Sequence, residues 1–120
     1  MSLSYLGALG AIDILRSAGG EVVTRGFAYL MPCDPYSGNI NAVGALALAC
    51  GAKDKELKAW SGDLEFVPIP DIKHGIFMEL LGFVESLIDE DIDVWCEDAT
   101  QEECIKLFER SATRIEIAVI

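Results

Sequence analysis

The chain has 120 residues, 52% of them hydrophobic, with four cysteines and a formal net charge of −11. That length suits one domain over residues 1–120 with its own core. The apolar content excludes intrinsic disorder, which needs low hydrophobicity as well as high charge. It is also high for so small an interior, so a homodimer face is expected. No stretch is long and apolar enough to span a bilayer, and no membrane partner is expected: the charge-free run from Pro35 to Ala52 is short and carries Asn39, Asn41 and several Gly and Ala. Met1 to Gly10 has no positively charged region and meets Asp13 early, so it is not read as a signal peptide. The expected compartment is the cytoplasm, with Cys33, Cys50, Cys96 and Cys104 as reduced thiols, none in CxxC spacing.

The charge is unevenly placed. Residues 1–60 carry five acids and five bases, whereas residues 61–120 carry fifteen acids and four bases. From Glu79 to Glu103 there are ten acids and no base. Such a block repels polyanions and anionic membranes, which argues against direct nucleic-acid binding through this half. Its natural counterparts are basic proteins and divalent cations.

In chain order, Tyr5, Ala8, Leu9, Ile12 and Leu15 recur at helical spacing and predict an amphipathic helix over residues 4–18, capped by Ser4 and stopped by Gly19-Gly20. Residues 21–32 contain Val22, Val23, Thr24, Phe27 and Tyr29, which favour a strand with poor alternation. Pro32 to Gly38 reads as a loop. Asn39 to Cys50 reads as a second helix, with Gly44, Ala45 and Ala49 leaving room for a close neighbour and Gly51 ending it. Residues 53–58 form a short polar link with helical character. Leu64, Phe66 and Ile69, broken by Pro68 and Pro70, make at most an edge strand. A third helix is expected over 71–88, capped by Asp71; its apolar residues cover well over half the circumference, which places it centrally or at an interface. Asp89 to Asp98 reads as an acidic loop. Thr100-Gln-Glu-Glu103 is a capping box opening a fourth helix over 101–113, with Cys104, Leu107, Phe108 and Ala112 inward. Residues 115–120 either continue that helix or pair as a terminal strand. The expected fold is mainly α, a four-helix domain with at most a small β pair. The alternative is an α+β domain with a sheet from residues 22–30, 64–69 and 115–120.

Motifs for chemistry are few. Asp89-Glu-Asp-Ile-Asp93 resembles the start of an EF-hand loop, but Val94 stands where the sharp turn needs Gly and Thr100 where a bidentate Glu is needed. His74, the only histidine, has no potential co-ligand at tight zinc spacing and is assigned a surface or capping role in its helix. Twenty acids make some close carboxylate pair inevitable, so acid–base catalysis has no distinctive signal. There is no phosphate loop, GxGxxG or GxSxG. No catalytic residue, metal ligand or cofactor is assigned. Trp95, set among acids, reads as a buried anchor or as an interface aromatic ringed by negative charge.

Asn41 to Ala52 resembles the glycine–alanine helix of an uncharacterised family of small bacterial and phage proteins. Val94 to Ala112 resembles that family's closing part, where a tryptophan and a short acidic turn precede a capped C-terminal helix, and Thr24-Arg25-Gly26 resembles its small turn. The family has a cysteine shortly before the glycine–alanine pair where this chain has Asn41 and Ala42. The resemblance implies a domain of unknown function of phage or mobile-element origin, with no catalytic residues to carry over.

Two functions follow. One is a non-enzymatic interaction module presenting Asp89, Glu90, Asp91, Asp93, Trp95, Glu97 and Asp98 to a basic protein, as an inhibitor of a nucleic-acid enzyme whose phosphates the carboxylates imitate. The other is a small-molecule binder or enzyme with a pocket lined by Tyr29, Cys33, Asp34, Tyr36 and Trp60.

Overall fold

A computed structural model describes residues 7–118. Among these residues there are six α-helices: α1 (Ala8–Arg25), α2 (Ala42–Ala49), α3 (Asp54–Ala59), α4 (Asp71–Ile88), α5 (Ile92–Asp98) and α6 (Gln101–Ala118), with one 3-10 turn at Leu64–Phe66. The fold is mainly α. The extended pairing among the described residues consists of isolated bridges from Ile40 to Phe27 and Cys33. The sheet of the α+β alternative is absent there: Val22 to Thr24 belong to α1, Leu64 to Phe66 form the 3-10 turn, and Ile115 to Ala118 continue α6. Val119 and Ile120, like the Ser4 cap and Tyr5, lie outside the described residues.

Helix α1 does not stop at Gly19-Gly20. Its buried stripe runs on through Ile12, Leu15, Ala18 and Val22, against α6. A Cβ built at Gly19 would lie 3.5 Å from the Cβ of Phe108, so this glycine marks a close helix–helix approach. Burial of that stripe outweighs the cost of about 1 kcal/mol for each glycine inside a helix. The helix ends at Gly26, whose φ of 85° is one that L side chains rarely adopt.

The chain then loops back over α2. Ala28 donates to the Ile40 carbonyl (2.8 Å) and Ile40 to the Gly26 carbonyl (3.1 Å). Within the loop, Asp34 accepts from the Tyr36 amide at 2.9 Å, and Gly38 donates back to the Asp34 carbonyl at 2.8 Å. The Tyr36 amide and then the Ser37 hydroxyl hold the Asp34 carboxyl below the usual range. Helix α2 begins later than residue 39. Buried Asn41 is its N-cap and accepts from the Gly44 amide at 3.0 Å. Gly44 lies directly under the carbonyl of Pro32.

Pro70 is the cap position of α4, and Asp71 is its first helical residue; neither it nor Pro70 makes a side-chain cap. Helix α4 is not central: it buries Ile76, Phe77, Leu80, Leu81 and Val84 but exposes Ile72 and Met78, while α1 packs most extensively, on α6 and α2. The capping box at α6 is formed as expected, Glu103 N–H to Thr100 Oγ1 at 3.1 Å and Thr100 N–H to Glu103 Oε1 at 3.0 Å. One apolar cluster runs through the fold from Ala11 to Ile115 and takes in all four cysteines, Cys104 among them as expected. Burial pushes the Cys50 and Cys96 thiols up to about 11, and the Cys104 thiol further.

Candidate functional site

The acidic stretch 89–98 is not a loop. Only its first three residues connect helices; Ile92 to Asp98 form α5. Asp89 ends α4 in the left-handed conformation (φ 55°), its amide bonded to the Glu85 carbonyl at 2.9 Å. Asp91 holds the cap position of α5 without a side-chain bond. The free amide of Ile92 is satisfied instead by Glu85, which reaches from the preceding helix at 2.9 Å from Oε2. Ile92, Cys96 and Ala99 are buried and Trp95 is half-buried against the core, which is what fixes this short helix.

That packing sorts the predicted site residues. Asp89, Glu90, Asp91, Asp93, Glu97 and Asp98 are all exposed around α5. Among the described residues, none of these six forms an ion pair; the pairs present are Arg16–Glu116, Arg25 with Glu21 and Asp54, Lys58–Asp54 and Lys106–Glu102. Partial desolvation, and then the charge of Asp91, raise the Asp93 carboxyl above its ordinary value. Trp95 lies at the base of this patch as a half-buried anchor, and Val94, 53% exposed, is its apolar accessible residue. Among the described residues no three His, Cys, Asp or Glu side chains are grouped so that they could hold a metal ion.

The residues of the second reading are spread differently. Tyr29 packs edge-on against Phe27 (centroids 5.3 Å apart) but is 56% exposed, and Tyr36 is 97% exposed, while Cys33 is buried. Trp60 donates its indole N–H to the Asp63 carbonyl at 2.8 Å. It lines a depression of 480 Å³ with Glu56, Ala59, Ser61, Phe66 and Pro68, none of them from the predicted set. His74, in the first turn of α4, lies 3.3 Å through Nε2 from the Leu64 carbonyl, tying the helix to the preceding turn.

Sequence reasoning missed Glu85 as the cap of α5, since it acts seven residues away through a turn whose geometry no local motif announces. It also passed over Arg110 and Arg114, which share one depression on α6. Among the described residues, no helix is long and apolar enough to cross a membrane. Compared with protein-family models, curated proteins and solved structures, the chain matches none.

Proposed function

We propose that this chain is a non-enzymatic interaction module whose acidic corner, at the junction of α4, α5 and α6, docks on a basic protein surface. The observation that carries the reading is the set of six exposed carboxylates around α5 with no ion-pair partner among the described residues. Six unneutralised acids on so short a segment repel one another, and a cationic partner relieves that repulsion on binding. Packing of Ile92, Cys96 and Ala99 holds the backbone beneath them, so little order is lost when a partner binds. A row of carboxylates offers a basic groove what a phosphate backbone offers. The partner class is therefore a nucleic-acid-handling protein, and the role that of a modulator or inhibitor such as phages and mobile elements encode. Val94 and the edge of Trp95 supply the apolar contact.

The test is capture from a host lysate at about 0.05 M and about 0.5 M NaCl, where screening differs severalfold in range. It is run beside a variant carrying Asp89→Asn, Glu90→Gln, Asp91→Asn and Asp93→Asn. A basic protein held at low salt, released at high salt and lost with the variant is the expected result. If nothing is captured in a salt-dependent way, or if the variant captures the same protein equally well, the reading falls.

A further inference from the structure

A depression of 480 Å³ separates the last turn of α4 from the C-terminal half of α6. Its α4 wall is Ser86 and Leu87; its α6 wall is Glu109, Arg110, Thr113, Arg114 and Ile117. The chain has four arginines. Two are paired, Arg16 with Glu116 at 2.9 Å and Arg25 with Glu21 and Asp54. The other two are Arg110 and Arg114, and among the described residues neither forms an ion pair. No acid stands three or four positions from either: these places hold Lys106, Leu107, Thr113, Ser111, Ile117, Ala118 and the two arginines themselves. One turn earlier, α6 does pair Lys106 with Glu102 at 3.1 Å. In a chain with twenty acids and nine bases, two adjacent guanidiniums left facing one cavity are a specific arrangement.

We propose that this cleft binds a small organic phosphate monoester, its phosphate bridged by Arg110 and Arg114. Guanidiniums one helical turn apart repel each other, and a shared dianion converts that repulsion into two charge-assisted, fork-like contacts. A phosphate monoester carries about −1.5 to −2 at neutral pH, which matches two cations better than a monoanion does. Thr113, between the arginines on the same wall, adds a hydroxyl. The Ser86 hydroxyl already donates to the Phe83 carbonyl at 2.5 Å, so it faces the cleft as an acceptor for a ligand hydroxyl. Leu87 and Ile117, the latter 67% exposed, form an apolar shelf for the organic part. The volume falls within the roughly 300–1,000 Å³ usual for small-molecule sites. Glu109 lines the same α6 wall, and Asp89 and Glu90 follow the α4 wall in sequence; these acids weaken anion binding and make the affinity salt-dependent.

The test is a titration of the folded chain with phenyl phosphate, and with inorganic phosphate as the shelf-less control, followed by backbone amide shifts. Saturable shifts confined to residues 86–87 and 109–117 are expected, with phenyl phosphate the tighter ligand. Arg110→Gln or Arg114→Gln should each weaken binding about tenfold, the effect of one charge-assisted contact, and the double variant should abolish it. Glu109→Gln should tighten it, which tests the site without removing a donor should the arginine variants unfold. Absent or non-saturating shifts, shifts that survive in the double variant, or an unchanged affinity in Glu109→Gln would overturn the proposal. So would binding of a phosphoserine peptide with no response to phenyl phosphate, since that would make the cleft a protein-docking site.

Discussion

Gly44 and Gly20 are both helical glycines, and the space around them differs completely. A Cβ at Gly44 would lie 1.9 Å from the Pro32 carbonyl oxygen and 2.8 Å from its carbonyl carbon, both backbone atoms that cannot rotate aside. A Cβ at Gly20 meets nothing within 4 Å. Gly44→Ala therefore forces the loop over α2 to lift, and it also strains the α2 cap, because the Gly44 amide is the donor to buried Asn41. Overpacking of this kind costs about 1–3 kcal/mol, and losing the cap adds about 1 kcal/mol. Gly20→Ala should instead gain about 0.5–1 kcal/mol from reduced backbone entropy in an exposed helical position. Urea denaturation of the two single variants measures both. A Gly44→Ala midpoint equal to that of the parent chain would mean that Pro32 does not rest on α2. The close approach at Gly44 was legible in the small residues Gly44, Ala45 and Ala49. Its partner was not, because only the folded return of the loop brings Pro32 there.

The elements read correctly from sequence are those whose signals are local. The capping box at Thr100 and Glu103 and the long apolar periodicity after Pro70 each act within one or two turns, and α4 and α6 appear where they are expected. Two of the misread elements, α1 and α5, failed for different reasons. In α1, local preference at Gly19-Gly20 favours an end, and burial of Val22 and Ala18 against α6 overrides it. In α5, charge hides a helical stripe: Ile92, Trp95, Cys96 and Ala99 follow the i, i+3, i+4, i+7 pattern, but five acids stand within residues 89–97. The electrostatic cost of that placement can be measured at Asp93. Partial desolvation, together with the Asp91 charge, gives its carboxyl a higher pKa folded than unfolded. Such a group stabilises the fold fully below its unfolded pKa, near 3.9, and that contribution is lost as pH rises through the folded value. At pH 7 the ionised Asp93 is thus a liability, which Asp93→Asn removes. The variant should be more stable than the parent at pH 7, with the difference fading below about pH 3.5. Lower stability of Asp93→Asn at pH 7 would show instead that the attraction of Asp93 to the α5 N-terminus outweighs its desolvation and its repulsion by Asp91.

For the molecule as a whole, two electrostatic effects oppose each other. The ion pairs among the described residues include two that join distant helices, Arg16–Glu116 between α1 and α6 and Arg25–Asp54 between α1 and α3. All are partly solvent-exposed, and such pairs contribute about 0–1 kcal/mol each. Against them stands a net charge of −11 on a body 42 × 30 × 24 Å across. At about 0.01 M salt the screening length is about 30 Å, so charges on opposite sides of the narrower dimensions still repel. At about 0.1 M it is about 10 Å, and only neighbouring carboxylates still interact strongly. Salt therefore removes more repulsion than attraction. The thermal midpoint should rise as NaCl is raised from about 0.01 M to about 0.3 M, the reverse of a fold held by surface ion pairs. Replacing Asp89, Glu90, Asp91 and Asp93 by their amides takes four charges from the net −11, leaving −7, and removes the densest repulsion. This variant should start from a higher midpoint at low salt and respond less steeply. A midpoint that falls with salt in the parent chain would show that its ion pairs outweigh its excess charge. A salt response unchanged in the variant would place the repulsion elsewhere than at the α5 corner, and would remove the electrostatic reason for a basic partner to bind there.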